Sequence, residues 1–372
     1  MDVPFVDLKR QYTPLLPEIK DTMDSIIERC AFINGPEVRE FEQKMAKWLG
    51  VPWVCGVSNG THALYLTLKA LGIGKGDEVI TVANTAFPTS EAINSSGADV
   101  VFVDISQDYF SIDPEAVRSA VTARTRAVIP VHLYGIPAEM EAITEIAEKH
   151  DLLIVEDVAQ AMGAMYKGKK VGTIGVAGCF SFFPSKNLGA FGDGGAVASA
   201  DKELAQRVRM LSNHGREEKY IHLLLGTNSR LDTLKAGQLS ICLDHLDEWN
   251  QERRQAAALY EELLGPFEEI RTPAVPEGCE AVWHLYVIRY EKRDDLAAFL
   301  RQKGIRTGLH YPLPLHKQPA YADLGLKEGS LPRAEKACRE VLSLPMFPKI
   351  TPAEIETVAK AIGEFLSHQG KA

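Results

Sequence analysis

The sequence predicts an α/β protein built around a mostly parallel sheet. Between about residue 53 and residue 199, seven short apolar runs alternate with helical patterns. Several runs are continuous in Val, Ile and Leu, which is typical of strands that helices cover on both faces. Their alternation with helices indicates βαβ units. The seven predicted strands are 53–58, 78–82, 100–104, 126–132, 152–156, 177–183 and 194–199.

Helix signals lie between and after these strands. Asp113 is followed by proline and glutamate, which predicts an N-cap, a first-turn proline and an acidic first turn. Apolar residues at helical spacing predict a helix just before the strand at 152. Beyond residue 200, the stretches 203–212 and 231–264 predict longer helices. Gly163–Lys169 departs from a phosphate-binding loop, because Lys170 follows it, and a small hairpin turn is predicted there instead.

The chain length and a change of texture near residue 248 predict two domains. At roughly 150 residues per domain, 372 residues correspond to about two domains. From 248 onward, turn residues, an alternating strand, a helix, a proline-rich loop and a last helix follow one another. We predict a large domain over 1–247 and a smaller α/β domain over 248–372. An N-terminal arm of about 20 residues is expected to pack on the smaller domain.

Composition excludes several classes of protein. The chain is 45% hydrophobic and 24% charged, as in a soluble globular enzyme, and its net charge of −9 argues against a nucleic-acid surface. No apolar run approaches the roughly 20 residues of a membrane span, and the first residues lack an apolar signal core. The six cysteines are scattered without metal-ligand spacing. We therefore expect a cytoplasmic enzyme without a metal, nucleic-acid or membrane partner.

A turn that follows the first predicted strand suggests a phosphate site. Ser58 and Asn59 lead into Gly60 and Thr61, which begin a helix, and free N–H groups at a helix start attract phosphate. A plain N-cap turn would look the same.

The stretch 56–60 also matches the G-x-S-x-G elbow, which would make Ser58 the nucleophile of a serine hydrolase. The elbow follows the first strand of the series, which disfavours that alternative.

Two further residues follow predicted strands. Asp157 ends an apolar run, and a buried carboxylate there needs a cationic partner, such as a protonated pyridine nitrogen or an internal salt bridge. Lys186 is surrounded by apolar and small residues, and a sheltered lysine has a lowered pKa and forms a Schiff base with an aldehyde. An exposed loop lysine is the alternative. The order of turn, carboxylate and lysine on one sheet favours the functional interpretation.

The chain resembles the pyridoxal-phosphate sugar aminotransferases of the DegT/DnrJ/EryC1 family, which have the type I fold of aspartate aminotransferase. The resemblance extends over nearly the whole chain. The motifs that carry it are VPFVDLKRQY (3–12), FINGPEVREFE (32–42), SNGTHAL (58–64), EDVAQAMGA (156–164), SFFPSKNLGAFGDGG (181–195), NSRLDTLKAG (228–237) and HYPLPLHKQP (310–319).

The resemblance implies roles for matching positions. Lys186 would bind the cofactor aldehyde and move the proton during transamination. Asp157 would pair with the pyridine nitrogen, and Gln160 would contact the ring hydroxyl. Asn228 would reach the cofactor phosphate in a partner subunit, which implies a homodimer with shared active sites. The residues expected to hold the phosphate within one chain are Gly60, Thr61 and Ser181.

Two positions depart from the family pattern. Relatives often stack an aromatic side chain on the cofactor ring, at the position that aligns with Ala86, and Phe87 is the adjacent aromatic candidate. His62 stands where relatives often have aspartate or a small residue.

Relatives that dehydrate sugars replace the lysine with histidine, so the retained Lys186 favours transamination. A regulatory member without catalysis would be expected to lack central site residues.

The resemblance also implies the substrates. L-Glutamate is the expected amino donor, and a keto sugar linked to dTDP or UDP is the expected acceptor. The stretches 281–289 and 310–319 favour members that act at sugar position 3, with position 4 as the alternative. The product would be an amino sugar for a surface polysaccharide or a glycosylated metabolite. Candidate sugar-binding residues are His284, His310, Tyr311, His316 and Arg230, and Arg216 and Arg306 are further candidates for the diphosphate.

Overall fold

A computed structural model describes residues 2–369. Its helices are α1 (Leu8–Tyr12), α2 (Leu16–Glu28), α3 (Pro36–Leu49), α4 (Gly60–Ala70), α5 (Phe87–Ser96), α6 (Pro114–Ala120), α7 (Met140–His150), α8 (Lys202–Ser212), α9 (Thr233–Leu243), α10 (Leu246–Leu264), α11 (Arg293–Gln302), α12 (Pro332–Glu340) and α13 (Pro352–Gln369). Its strands are β1 (Trp53–Val57), β2 (Glu78–Val82), β3 (Asp99–Val103), β4 (Thr125–Ile129), β5 (Leu153–Asp157), β6 (Met165–Tyr166), β7 (Lys169–Lys170), β8 (Ala177–Ser181), β9 (Gly195–Ser199), β10 (Arg216–Glu218), β11 (Ile221–His222), β12 (Cys279–Glu280), β13 (Tyr286–Arg289) and β14 (Val341–Leu344).

The central sheet has seven strands in the order β1-β9-β8-β5-β4-β2-β3. The strands from β8 to β3 pair in parallel, whereas β9 runs antiparallel to both of its neighbours. The predicted α/β class and the mostly parallel sheet are therefore confirmed. Each predicted strand overlaps one observed strand, because continuous apolar runs mark strands buried on both faces.

Apolar clusters cover the two faces of this sheet. On β8, Cys179 belongs to one buried cluster and its neighbour Phe180 belongs to the other. Successive side chains of a strand point to opposite faces, so the two clusters lie on opposite sides of the sheet. Leu64 of α4 packs in the first cluster, and Phe41 of α3 packs in the second. The sheet is thus the middle layer between two helical layers.

Local signals set most helix boundaries. The Asp113 carboxylate accepts a hydrogen bond from the Glu115 backbone N–H at 2.9 Å, so the predicted N-cap of α6 is confirmed. The predicted helix over 231–264 is wrong in its continuity, because α9 ends at Leu243 and α10 begins at Leu246. The two residues between them, Asp244 and His245, keep right-handed helical dihedral angles. No glycine or proline marks the break.

The C-terminal part of the chain has its own apolar cluster around Tyr260 and Tyr286. Strands β13 and β14 pair antiparallel beside it. The N-terminal arm joins this part, since the Val3 N–H donates to the Gly304 carbonyl at 3.1 Å and its carbonyl accepts from the Arg306 N–H at 3.0 Å. Helix α10 runs across the predicted domain boundary between residues 247 and 248, and that boundary stays a prediction.

Candidate active site

A cavity of about 570 Å³ lies at the carboxyl ends of β1, β5 and β8. Ligands of open α/β sheets bind at this edge. The C-terminal part of the chain closes one side of the cavity. Nine of the predicted site residues line it: Gly60, Thr61, Asp157, Gln160, Ser181, Lys186, His284, His310 and Tyr311. Within residues 2–369, no cluster of His, Cys, Asp or Glu side chains forms a metal site.

Lys186 lies in the loop after β8. Its backbone N–H donates to the Phe183 carbonyl at 2.8 Å, which turns the chain so that the side chain lines the cavity. Burial lowers the pKa of the amine to about 8, and the negative charge of Asp157 opposes this shift. A minor fraction of the amine is therefore unprotonated near neutral pH, larger than for an ordinary lysine, and available as a nucleophile.

Asp157 ends β5 and is only 5% exposed. Its Oδ2 accepts from the Thr89 hydroxyl at 2.8 Å, and its Oδ1 accepts from the Ala159 N–H at 3.1 Å. Burial raises the pKa of this carboxyl, and the two hydrogen bonds and the charge of Lys186 oppose the rise. No salt bridge to Asp157 occurs among the described residues, which leaves a buried carboxylate that fits a protonated ring nitrogen of pyridoxal phosphate.

The start of α4 forms a cradle beside β8. The Asn59 side chain caps the helix by accepting from the His62 N–H at 2.8 Å. Gly60 and Thr61 precede it in the first turn, where backbone N–H groups lack intrahelical acceptors. A Cβ on Gly60 would lie 2.7 Å from the Ser181 Cβ, so glycine permits the close approach of helix and strand. The N–H groups and the Ser181 hydroxyl fit a phosphate.

Gln160 is fixed on both ends of its amide. Its side-chain oxygen accepts from the Tyr134 backbone N–H at 2.7 Å, and its nitrogen donates to the Tyr311 hydroxyl at 3.1 Å. Burial raises the pKa of Tyr311 to about 12, so its phenol is neutral at physiological pH. These bonds join the end of β5 to the segment that carries His310.

Two histidines line the wall contributed by the C-terminal part. Burial and the charge of Lys186 lower the pKa of His310 to about 4, and burial lowers that of His284 well below its ordinary value. Both imidazoles are therefore neutral at physiological pH. His284 is 7% exposed, and its Nδ1 has no hydrogen-bond partner among the described residues.

Four predicted site residues lie outside this cavity, and Phe87 and His316 are two of them. Phe87 is 38% exposed, and its ring packs on Tyr321 at 5.7 Å between centroids, so it does not stack over a ligand in the cavity. Ala86, one residue earlier, lines the cavity instead, because the chain turns into α5 at this point. His316 is buried with its Nε2 3.1 Å from the Glu335 carboxylate, which orients it away from the cavity.

Asn228 and Arg230 do not line this cavity. Arg230 lines a second cavity of about 440 Å³ and donates from Nη1 to the Asn213 side chain at 2.7 Å. Asn228 is exposed, and its backbone pairs with that of Asn213. Arg216 begins β10 in the adjoining hairpin, and Arg306 pairs with the N-terminal arm. Within one chain, none of these residues reaches the first cavity.

The buried pair formed by Glu156 and His132 was not predicted from the sequence. The Glu156 carboxylate accepts from the backbone N–H groups of Gly172, Ile174 and Gly175 at 2.6–2.7 Å, and His132 Nε2 lies 3.1 Å away. This network fixes the loop between β7 and β8. The available signal was a glutamate inside an apolar strand, which requires buried hydrogen-bond donors.

The hydrolase alternative fails on the position of Ser58. Its hydroxyl lies 3.1 Å from His62 Nδ1, but the same hydroxyl also lies 2.8 Å from that of Ser229. No carboxylate accepts a hydrogen bond from the His62 ring in the described part of the chain, so the base lacks an orienting acid. Ser58 also does not line the cavity.

The family comparison agrees with this geometry. The model of the DegT/DnrJ/EryC1/StrS aminotransferase family matches residues 15–363. The chain belongs to this family. The predicted resemblance and the aminotransferase class are thereby confirmed.

Relatives of this aminotransferase match it along almost their whole lengths. A protein of Geobacillus stearothermophilus named pleiotropic regulatory protein is 48% identical over 99% of this chain and all of its own. The dTDP-3-amino-3,4,6-trideoxy-alpha-D-glucose transaminase of Streptomyces venezuelae is 45% identical over 100% of this chain and 98% of its own. The crystal structure of S. venezuelae DesV with a ketimine intermediate superposes with a TM-score of 0.96 at 45% identity, covering 98% of each chain.

Proposed function

We propose that this aminotransferase moves the amino group of L-glutamate to the C3 keto group of a nucleotide-linked sugar. The observation that carries the proposal is one cavity that holds a buried lysine of lowered pKa, a buried carboxylate without a salt bridge, and a helix start beside a serine. Pyridoxal phosphate is the cofactor that needs these three groups together. Solved relatives named as PLP and PMP forms support the assignment.

Each residue has a separate task in this proposal. The cofactor supplies an aldehyde that receives the amino group and a ring that accepts electrons. Lys186 would hold the aldehyde through Nζ, and once the amino donor has displaced it, the freed amine would move the proton from the donor α-carbon to the cofactor carbon. Asp157 keeps the ring nitrogen protonated, and Gln160 hydrogen-bonds to the ring hydroxyl. The phosphate is bound by Gly60, Thr61 and Ser181.

The wall with neutral side chains receives the sugar. His284, His310 and Tyr311 offer hydrogen bonds without charge to hydroxyl groups. The names of two relatives support position 3, since those from Streptomyces venezuelae and Acidithiobacillus ferrooxidans are named as transaminases of 3-amino and 3-dehydro sugars linked to dTDP and UDP. Position 4 is the alternative that the substrate test decides.

A homodimer would complete the site. Asn228 and Arg230 lie outside the cavity of their own chain. In a dimer they would bind phosphate groups of the cofactor and of the nucleotide sugar at the partner's site. Apolar side chains are exposed around the same region, which is typical of a protein interface. They are Ile27, Phe32, Ile33, Tyr220, Ile221, Leu223 and Leu225.

Absorbance spectroscopy tests the cofactor and the amino donor. The purified chain with pyridoxal phosphate should be yellow, glutamate should bleach it, and borohydride should fix the cofactor covalently. Lys186→Ala should abolish fixation, whereas Lys170→Ala, at a half-buried lysine that stacks on Trp48, should keep it. Fixation that survives in the Lys186 variant would refute the assignment. A yellow protein that glutamate leaves unchanged would favour a regulator that only binds the cofactor.

A substrate panel tests the position of transfer. The enzyme loaded with the aminated cofactor is mixed with 3-keto and 4-keto sugars, each linked to dTDP or UDP. Return of the yellow colour with 3-keto sugars alone is the expected result. Return with 4-keto sugars alone would replace C3 by C4 and leave the reaction class unchanged.

Mixing two inactive variants tests the shared site. Lys186→Ala and Asn228→Ala chains, unfolded and refolded together, should recover up to about a quarter of wild-type activity, because heterodimers would carry one intact site. Each variant refolded alone provides the control. A mixture no more active than its components would mean that Asn228 serves its own chain.

A further inference from the structure

Ser343 is a buried hydroxyl in an apolar strand. It lies in β14, where every residue is buried, and its side chain is fully shielded from solvent. A hydroxyl in such a place requires a hydrogen-bond partner. The partner is His310, whose Nδ1 lies 2.8 Å from Ser343 Oγ. The backbones of Ser343 and Gly308 also pair with each other at 2.8 and 3.0 Å, which places β14 directly beside the segment that carries His310.

Phe5 of the N-terminal arm holds the same imidazole from its face. The two rings are nearly parallel, with 13° between their planes and 5.7 Å between centroids. The arm itself is anchored at Val3, and the Phe5 carbonyl accepts from the Met346 N–H at 3.4 Å. A Cβ on Gly308 would lie 2.7 Å from His310 Cε1 and 3.0 Å from Phe5 Cζ, so glycine makes room for both rings.

These contacts leave one nitrogen of His310 for a ligand. Nδ1 is engaged by Ser343, and this is the one hydrogen bond that the ring forms with the described residues, so Nε2 is left for a ligand. The ring lines the cavity, and it is neutral because burial and Lys186 lower its pKa to about 4. A neutral imidazole fixed in plane and rotamer forms directional hydrogen bonds with hydroxyl groups.

We propose that Phe5 and Ser343 are positioning residues, which hold His310 so that its Nε2 hydrogen-bonds to a hydroxyl of the sugar in the amino acceptor. The proposal rests on the proposed function, and it concerns the second substrate only. Glutamate carries no hydroxyl, so the loss of either positioning residue should affect the two half-reactions unequally.

Stopped-flow absorbance on the holoenzyme measures the half-reactions separately. For Ser343→Ala and for Phe5→Leu, the reaction of the aminated form with the keto sugar should slow by about tenfold, the effect of one hydrogen bond, while the glutamate reaction stays within about twofold. Ser199→Ala removes another buried hydroxyl, which donates to the Val176 carbonyl at 2.7 Å, and is the matched control for serine. Phe299→Leu, at a ring that packs on Phe365, is the control for phenylalanine.

A merely structural role makes a different prediction. It would slow both half-reactions together, and Ser343→Ala would remain harmful in the His310→Ala background, where the proposal expects no further loss. Either result would overturn the proposal.

Nitrogen NMR of the histidine-labelled holoenzyme adds a readout that needs no sugar. Ser343→Ala should shift the His310 ring resonances, and unchanged resonances would overturn the proposal. If the wild-type chain reacts with glutamate but with no keto sugar, the proposed function fails; if it accepts the sugar and both variants match it, only this proposal fails.

Discussion

At the scale of single residues, Asp157 and Lys186 are displaced toward their neutral forms by the same cause. Burial raises the pKa of the carboxyl and lowers that of the amine, and each charge partly restores the other. A ligand that brings a positive ring nitrogen to Asp157 would stabilise its ionised form. The two residues would therefore suit a cofactor that brings a cation to Asp157 and an aldehyde to Lys186.

We expect Asp157→Asn to fold and to lose transamination by a factor on the order of 100, because an amide cannot keep the ring nitrogen protonated. Single-turnover absorbance with glutamate measures this rate. Asp193→Asn removes an exposed carboxylate from the lining of the same cavity and should change the rate little. Equal losses in the two variants would show that the general field of the cavity matters, not the position of Asp157.

The reaction of Lys186 with the cofactor should depend on pH. Its amine has a pKa lowered to about 8, so the nucleophilic form increases as the pH rises through that value. In this experiment, pyridoxal phosphate is added to the cofactor-free enzyme and the return of absorbance is followed. We expect its rate to rise through a midpoint near pH 8 and then to level off. In Asp157→Asn the midpoint should move to lower pH, since the charge of Asp157 raises the pKa of Lys186. A shift to higher pH would contradict this coupling.

At this scale, a site residue could be predicted from the sequence where it lies at or shortly after the carboxyl end of a strand. Asp157 and Lys186 were predictable, because strand ends of a parallel sheet converge at one edge. Phe87 and His316 were not, because side-chain direction at the start of a helix or inside a proline-rich loop depends on packing partners distant in sequence. Tyr321 and Glu335 are those partners.

At the scale of elements, the meeting of α4 and β8 decides whether the phosphate cradle exists. The helix begins at Gly60 and touches the last residue of the strand, Ser181. The seven strands could be predicted from their apolar runs, whereas this contact could not, since it depends on β9 lying between β1 and β8. The break between α9 and α10 was missed because no glycine or proline marks the end of α9.

Gly60→Ala tests the cradle. The new Cβ would lie 2.7 Å from the Ser181 Cβ, so the helix start must move away from the strand. We expect cofactor affinity to fall on the order of tenfold, because the N–H groups no longer converge with the serine hydroxyl. Fluorescence titration of the cofactor-free protein measures it. Gly74→Ala, whose nearest contact would be 3.3 Å to the Ser96 carbonyl, should bind normally, and normal binding by both variants would refute the cradle.

Glu156→Gln tests the network between β5 and the loop before β8. One side-chain oxygen becomes an amino group, which faces backbone N–H groups and leaves buried donors unpaired. We expect the free energy of unfolding to fall by about 2–4 kcal/mol. Denaturant titration measures the change, and Glu145→Gln on the exposed side of α7 is the control. A variant as stable as the wild type would show that the loop finds other acceptors.

At the scale of the whole molecule, the N-terminal arm ties the C-terminal part together. Besides the pairing of Val3, Arg10 forms two hydrogen bonds with Glu354 at the start of α13, at 2.7 and 2.8 Å. The Arg10 hydrogen bond, with help from Thr351, lowers the pKa of Glu354 to about 2 against the opposing effect of burial. The arm therefore contacts both the cavity wall that carries His310, through Phe5, and the last helix.

The Arg10–Glu354 pair should stabilise the protein in a pH-dependent way. A carboxyl with a lowered pKa stabilises the folded state fully above its ordinary pKa of 4.5, and this contribution is lost as the pH falls toward 2. Arg10→Met should cost about 1 kcal/mol at pH 7, because Arg10 is partly exposed and solvent screens the pair. The difference from wild type should vanish near pH 2 in denaturant titrations. Lys303→Met, at the more exposed pair with Glu364, is the control, and a difference independent of pH would contradict the mechanism.

The pairing of Val3 with residues 304–306 also determines when this part of the fold can form during translation. The arm leaves the ribosome about 300 residues before the segment that it pairs with, a delay of roughly 15–60 s at the usual rates of translation. During that interval Phe5 has no partner ring, and His310 does not yet exist. The wall that we assign to the sugar is therefore assembled only after all seven strands of the sheet have been translated.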